Sequence, residues 1–289
     1  MSSMPPPSPA PLAGSGSPKG GTLVKAAWSA LRSDKELLSL PIVGGVASLL
    51  ALVPLFVITL VLNVGSEDGR DPGPVLIVAA VLTAFLVAIV TTFFSVALAA
   101  GAHERMGGGN PTIKSAVAVA WKRKKGVIGW ALLSTTVGLI LQAIKDNVKG
   151  AGAIISFLGD LAWAVASFFA IPIIAANDVG PIEALKSSVA TMKQRWGSSA
   201  RVQLRLGLYG LAVAIGVVVA VVVVAMLAKT STVLAVLAGI VLGALVLYAL
   251  LLLNAVGAYA RVALYRYSAG LPTPGFGNNV LEAAVVQGR

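Results

Sequence analysis

The sequence predicts an all-α membrane protein with six transmembrane helices arranged as three hairpins, each preceded by an amphipathic interfacial helix. The first observation is composition, since 57% of residues are hydrophobic and only 11% are charged, whereas soluble domains carry about 25% charged residues. The second is six apolar runs, each long enough to cross a hydrocarbon core of about 30 Å. The third is that 18 of the 22 lysines and arginines fall on one side of these runs.

The two ends of the chain differ in composition from the apolar middle. Residues 1–21 are rich in Pro, Ser and Gly and predict a disordered cytoplasmic tail. Residues 22–268 form the predicted transmembrane domain, and residues 269–289 predict a flexible cytoplasmic tail. The first apolar run is too long for the core of a signal peptide and is followed by no obvious small-residue cleavage site. We therefore expect it to remain in the membrane.

The six predicted spans follow from the apolar runs, at 1.5 Å of rise per helical residue. Pro54 and Pro172 lie inside the first and fourth spans and predict kinks there. The predicted spans are Ile42–Asn63, Val75–Gly101, Val127–Ile144, Ala153–Ala176, Leu206–Ala228 and Thr232–Ala258.

A short polar helix between the fourth and fifth spans is predicted over residues 180–197. Gly180 suits the N-cap and Pro181 the first helical position, where a missing N–H is tolerated. Gly197 suits the C-terminal stop. An apolar stripe at spacings of three and four predicts one buried face, made of Ile182, Leu185, Val189, Met192 and Trp196. Between two membrane spans, this pattern favours a helix at the membrane surface.

The same pattern recurs earlier in the chain. Asn110 and Pro111 begin a similar stretch that ends in four cations and Gly126, with Asn110 as the expected cap. Residues 22–40 form a third, less similar amphipathic segment. These stretches predict three repeats, over about 22–101, 110–177 and 180–268, and a collar of three surface helices around the six-helix bundle.

The placement of charge predicts orientation and partners. Because lysine and arginine gather in cytoplasmic loops, both termini are expected in the cytoplasm and the protein in the inner (plasma) membrane. A basic inner face predicts contact with anionic inner-leaflet lipids rather than nucleic acid. The predicted lipid-interface residues are Trp28, Trp121, Lys122, Arg123, Lys124, Lys125, Lys186, Lys193, Arg195 and Trp196. Trp130 is expected to act as a further interface anchor, and Arg201, Arg205, Arg261 and Arg266 to snorkel at the inner span ends.

One acidic residue falls inside a predicted span. Asp160 is costly there unless it has a partner or a hydrated pocket, and Gln142 and Lys145 near the outer end of the preceding span complete a candidate polar site. Two interpretations stay open: a structural role at the outer interface, or a role in transport. The hydroxyl groups of Ser134, Thr91, Thr92 and Ser95, and the Gln142 amide, predict hydrogen bonds between helices.

Classical catalytic sets are missing from the sequence. There is no cysteine and a single histidine, His103, so thiolate chemistry and sites with two or more histidine ligands are excluded. Neither a metal nor a cofactor is expected. We expect a non-enzymatic protein that organises lipids or partner proteins, with a transporter or channel for a small or lipidic solute as the alternative and an intramembrane enzyme as a weaker one. The sequence predicts no particular protein partner or oligomeric state.

Several stretches carry a resemblance. Trp130 through Ile144, Phe169 through Ser188, Arg195-Trp-Gly197 and the opening segment from Trp28 to Pro41 resemble a family of uncharacterised six-span prokaryotic integral membrane proteins. The resemblance covers about residues 22–268. It implies a six-helix fold and a membrane location, and it implies no activity and no catalytic residues.

Overall fold

A computed structural model of the chain describes residues 21–33, 36–64, 73–148, 152–196, 216–274, 276 and 281. In these residues all regular structure is α-helical. The helices are α1 (Gly21–Ser33), α2 (Ser39–Leu50), α3 (Val53–Val64), α4 (Gly73–Met106), α5 (Ile113–Lys122), α6 (Lys124–Asn147), α7 (Gly152–Ala166), α8 (Ala170–Ala176), α9 (Pro181–Trp196), α10 (Gly216–Ala228) and α11 (Thr232–Ser268).

Five helical segments of the described chain are long and apolar enough to cross a membrane. Two of them, Ser39–Leu62 and Phe157–Ala176, combine shorter helices, and the others are Gly73–Met106, Lys124–Asn147 and Thr232–Ser268. The fifth predicted span, Leu206–Ala228, lies partly outside the described residues, and its described part is the apolar helix α10. The chain is thus an all-helical protein with several membrane-spanning candidates.

The two prolines predicted to kink spans each follow a break in the helix. Pro54 comes after a turn at Ala51 and Leu52, between α2 and α3. Pro172 comes after a turn at residues 167–169, between α7 and α8. A proline removes the N–H that would bond to the carbonyl four residues earlier, and its ring crowds that carbonyl. The α-helix is therefore interrupted just before each proline.

Helix α4 is the centre of the fold. It packs against α2, α3, α5, α6, α8 and α11. Its last part, from Val96 to Met106, is almost wholly buried, whereas its first part is largely exposed. Small residues make this close packing possible: a Cβ on Gly44 of α2 would lie 2.8 Å from Phe94 Cβ, and one on Gly101 would lie 2.9 Å from the Leu37 side chain.

The buried core is concentrated at one end of the molecule. It joins the ends of the long helices to the three short helices α1, α5 and α9, which we call the collar helices. The buried members include Leu31 of α1, Ala120 of α5, Ala184 of α9 and Tyr259 of α11. By contrast, the apolar windows of the long helices expose most of their side chains. A surface of this kind suits hydrocarbon rather than water.

Helix α9 begins at Pro181 as predicted, and the Gly180 carbonyl accepts the first helical hydrogen bond, from Ala184 N at 2.9 Å. The buried face overlaps the predicted stripe, since Leu185 and Met192 pack against the core, but it is shifted around the helix. Ala184 and Ser188 are fully buried, while Ile182 is 53% exposed. The physical reason is size, because small side chains at positions i and i+4 let α9 approach its neighbours closely.

The segment after α11 returns toward the core. Gly270 adopts a φ of +71°, and Leu271 N donates to Arg266 O at 2.8 Å, which ends the helix in a left-handed residue that glycine tolerates. Phe276 and Leu281 are buried in the core. The sequence alone predicts a flexible tail from residue 269. The predicted tail at residues 1–20 lies outside the described residues, as does most of the C-terminal tail beyond Phe276.

Candidate functional site

The four consecutive cations of the predicted collar straddle the junction of two helices. Helix α5 ends at Lys122 and α6 begins at Lys124, with Arg123 between them at φ −89°, ψ 16°. Lys122, Lys124 and Lys125 are exposed, and Arg123 is half-buried. The junction therefore presents three lysines on one surface.

The start of α5 is fixed by a capping box. Thr112 Oγ1 accepts from Ser115 N and Ser115 Oγ accepts from Thr112 N, both at 3.0 Å. The prediction of Asn110 as the cap was wrong by two residues, since Thr112 has the extended backbone that a cap requires. Asn110 Oδ1 instead accepts from Arg105 Nη2 at 3.1 Å. Ser115 Oγ also donates to Glu104 Oε2 at 2.9 Å, which ties α5 to the end of α4.

Trp121 connects the lysine surface to the long helix α4. Its ring is 64% exposed and meets Phe93 of α4 edge-on, with 6.3 Å between ring centroids. Lys124 Nζ lies 5.7 Å from the same ring, within the range of a cation–π contact. An exposed indole beside an ammonium group and an apolar helix is typical of a membrane–water boundary.

Glycines bring the α5–α6 junction against the entry to α9. A Cβ on Gly126 would lie 2.8 Å from the Val179 carbonyl oxygen, and a Cβ on Gly129 would lie 2.9 Å from the Pro181 ring. Arg123 Nη1 then reaches Asp178 Oδ1 at 3.3 Å. Because Asp178 is largely exposed, this ion pair contributes about 1 kcal/mol at most. The contacts of these two glycines place the lysine-bearing helices α6 and α9 side by side.

A buried hydroxyl group contributes to the attachment of α9. Ser188 Oγ accepts from the backbone N–H of Phe169 at 3.0 Å, at the break between α7 and α8. The opposite face carries Lys186 and Lys193, both exposed. Two further predicted interface residues, Arg195 and Trp196, have side chains outside the described residues. Ser188 was missed from the sequence, although its spacing of four from Ala184 marks a stripe of small residues.

Arg266 joins the ends of α11 and α4. It is 5% exposed and donates from Nη1 to His103 O, from Nη2 to Met106 O and from Nε to Pro272 O, at 3.1, 3.1 and 2.9 Å. The expectation that Arg266 snorkels to the interface was wrong. Its fork of N–H groups instead donates to two carbonyls at the end of α4 and to one in the loop after α11. Arg201 and Arg205 lie outside the described residues.

The other two tryptophans of the collar end differ from one another. Trp28 of α1 is 38% exposed. Trp130 is buried and stacks on Trp163 with 5.7 Å between ring centroids, so it joins α6 to α7. Its predicted role as an anchor was wrong, since its ring packs on another ring inside the protein.

The residues of the predicted intramembrane polar site lie on two different helices, α6 and α7. Gln142 Nε2 donates to both carboxylate oxygens of Asp146, at 3.0 and 3.1 Å, within α6. Lys145 is exposed on the same helix, and Asp160 is exposed on α7. In the described part of the chain, no hydrogen bond or ion pair joins Asp160 to Gln142 or Lys145. Ser134 likewise donates within its own helix, to Ala131 O at 3.2 Å.

The collar end as a whole is a positively charged surface on top of the packed apolar core. Among the described residues there is no cluster of three His, Asp or Glu side chains able to hold a metal ion. His103 is half-buried, and its Nδ1 has no hydrogen-bond partner within those residues. What the geometry offers is a set of exposed ammonium groups and an indole, suited to binding anions at a surface.

The fold and this surface define a class: an all-helical protein whose long apolar helices suit a membrane. Residues 75–274 match a family of unknown function, DUF6159, and the chain belongs to this family. None of the curated proteins and none of the solved structures matches the chain.

Proposed function

We propose that this is a non-enzymatic prokaryotic membrane protein that organises anionic lipids at the cytoplasmic face of the plasma membrane. In this proposal it has six spans in three hairpins, each preceded by an amphipathic helix at the interface, and both termini are cytoplasmic. The five described spans and the apolar helix α10 support the count. The distribution of 18 of 22 lysines and arginines supports the orientation.

One observation carries the proposal: the exposed cations at the collar end greatly outnumber the exposed acids. Among the residues that the structure describes, the exposed acids at this end are Glu36, Asp178 and Glu183, and Asp178 is already paired with Arg123. The exposed cations are Lys25, Arg32, Lys114, Lys122, Lys124, Lys125, Lys186 and Lys193. Each basic residue near an anionic membrane surface contributes about 1 kcal/mol to attraction.

The packing of the collar helices supports the same proposal. Leu23, Ala27 and Leu31 bury one side of α1, and Ala116 and Ala120 bury one side of α5. Because these helices rest on the core, their cations are held away from it. Little ordering of the chain is then needed when a lipid headgroup binds, and preorganisation of this kind favours affinity.

The transport alternative centred on Asp160 has less support. Gln142 is engaged with Asp146 rather than with Asp160. Asp160 also lines neither the cavity between α2, α4 and α11 nor the cavity between α3, α4 and α6. We therefore place the function at the collar.

The proposal is tested with purified full-length protein in a neutral detergent, by native mass spectrometry during titration with phosphatidylglycerol or phosphatidylcholine. The wild type is expected to bind the anionic lipid more tightly. Lys124→Gln/Lys125→Gln is expected to weaken phosphatidylglycerol binding by about thirtyfold, since two basic residues of about 1 kcal/mol each are neutralised.

The matched control is Lys145→Gln/Lys229→Gln, which removes two exposed lysines of the loops predicted to face the other side. It is expected to leave phosphatidylglycerol binding nearly unchanged. Equal affinity for the two lipids, or equal losses in the two double variants, would overturn the proposal.

A further inference from the structure

A groove lies between α2, α4 and α11, just below the collar helices. It encloses about 280 Å³ and is lined mainly by apolar side chains, among them Leu49, Leu52, Leu247 and Leu251. Leu49 and Leu52 line the groove and are also exposed at the surface. The groove is therefore open to the surroundings of the helical bundle. In a membrane those surroundings are lipid chains.

The length of the groove corresponds to one leaflet. On α4 its lining runs from Leu98 to Val87, which is about 16 Å at 1.5 Å per residue. A hydrocarbon core of about 30 Å gives each leaflet roughly 15 Å. The Leu98 end lies in the buried core beneath the collar helices, and the Val87 end lies toward the middle of the spans. The groove thus follows the path of a lipid chain from the interface to the bilayer centre.

Two polar side chains at the collar end of the groove have no hydrogen-bond partner among the described residues. Asn254 and Ser95 line the groove, and neither side chain makes a hydrogen bond within the described part of the chain. Asn254 precedes Arg261 on α11 by about two turns, roughly 10 Å. An amide at this depth has little water to bond to and is costly unless a partner is supplied. The ester carbonyls of a phospholipid lie near the collar end of such a path.

The other polar groups of the groove are already satisfied. Ser48 Oγ donates to Gly44 O at 2.8 Å and lies 3.2 Å from Thr91 Oγ1, so these hydroxyls join α2 to α4. Thr91, Leu52 and Val87 also line a second cavity of about 520 Å³, between α3, α4 and α6. Apolar space therefore continues beyond the bilayer-centre end of the groove.

We propose that the groove between α2, α4 and α11 binds one acyl chain of a membrane phospholipid, with Asn254 and Ser95 hydrogen-bonded to its ester region. A second copy of the protein fits these observations less well, because a concave groove of one leaflet's length with unpartnered donors at its collar end matches a lipid. The site is separate from the collar and does not depend on headgroup charge.

The test uses full-length protein in nanodiscs containing a phosphatidylcholine with a photoactivatable diazirine in one acyl chain, followed by mass spectrometric mapping. Labelling is expected to concentrate on Leu49, Leu52 and Thr91. The control positions are Ile77 and Leu82 of α4, which are 66% and 63% exposed but lie outside both cavities. The neutral headgroup separates this result from the charge preference of the collar.

Four variants make the experiment more specific. Thr91→Trp is expected to fill the groove and reduce labelling to the level of the controls, and Ser95→Leu serves the same purpose if the first variant does not fold. Asn254→Leu is expected to lower labelling by about fivefold, the effect of one ordinary hydrogen bond. Leu82→Trp is expected to change nothing. Uniform labelling of all exposed apolar residues, unchanged labelling in the folded groove variants, or cross-links from the groove to a second copy would overturn the proposal.

Discussion

Arg266 Nη1 donates to the backbone carbonyl of His103 at 3.1 Å, across 163 positions of sequence. The same guanidinium group reaches Met106 O and Pro272 O. It thereby closes the end of α4, the end of α11 and the following loop into one unit directly beneath the collar helices. The collar thus rests on a hydrogen-bonded base as well as on apolar packing.

Substitution of Arg266 tests how much this hydrogen-bonded unit contributes to the stability of the protein. Arg266→Met removes three donors. His103 O keeps the bond from Gly107 N at 3.0 Å, whereas Met106 O and Pro272 O lose the donors that Arg266 supplies, each at a cost of about 1–3 kcal/mol when no water replaces the donor. We expect a loss of about 3 kcal/mol, which is roughly 6–12 °C in the melting temperature of a chain of this size. Thermal unfolding of the full-length protein in detergent, followed by circular dichroism, measures it.

Arg261 provides the control for Arg266. It donates from Nε to Gly257 O at 3.2 Å, a bond within its own helix. Arg261→Met is therefore expected to lower the melting temperature by less than half as much. Equal shifts for the two variants would show that the long-range contacts of Arg266 contribute no stability.

The attachment of α9 is tested by Ser188→Ala. The substitution removes the hydroxyl that accepts from the buried N–H of Phe169, and a buried hydrogen bond of this kind contributes about 1 kcal/mol. Ser187→Ala is the matched control, because it has the same gain in helix propensity, of about 0.5 kcal/mol, and its side chain is only half-buried. Ser188→Ala is expected to melt several degrees lower than Ser187→Ala. Indistinguishable melting curves would mean that the hydroxyl is not needed at this break.

The close approach of α6 to the entry of α9 is tested by Gly126→Ala. The new methyl group would lie 2.8 Å from the Val179 carbonyl oxygen, so the backbone must shift. We expect lower thermal stability and weaker phosphatidylglycerol binding, since the collar helices move apart. Gly138→Ala on the same helix meets nothing within 4 Å and should stabilise the protein by up to about 1 kcal/mol. If both variants behaved alike, the approach of the two helices would have no energetic role.

The sequence predicts the helices well because their signals are local. Apolar runs of spanning length, Pro181 at a helix start, and prolines near the two breaks all act within a few residues. The fifth predicted span is only partly described, so the count of six stays a prediction. The exposure of Trp121 and of the three lysines from Lys122 to Lys125 was also predictable, because a run of cations beside tryptophan is a local pattern.

Long-range contacts were not predictable in the same way. Arg266 looks like an ordinary cation at the end of a span, and only the fold brings the ends of α4 and α11 together around it. The sequence position of Trp130 is typical of an interface anchor, and only the fold shows that its ring stacks on Trp163. The candidate site built on Asp160 assumed that neighbouring spans place their polar groups in contact, whereas Gln142 finds Asp146 one helical turn away.

The proposed function requires that the collar helices lie on one side of a membrane and that Lys145 and Lys229 lie on the other. The chain has no cysteine, so single cysteines introduced by Lys125→Cys or Lys145→Cys are the sole thiols to label. In intact cells, a membrane-impermeant maleimide is expected to label the Lys145→Cys variant. It should label Lys125→Cys only after the cells are permeabilised. Labelling of both variants from the same side of the intact membrane would contradict the account.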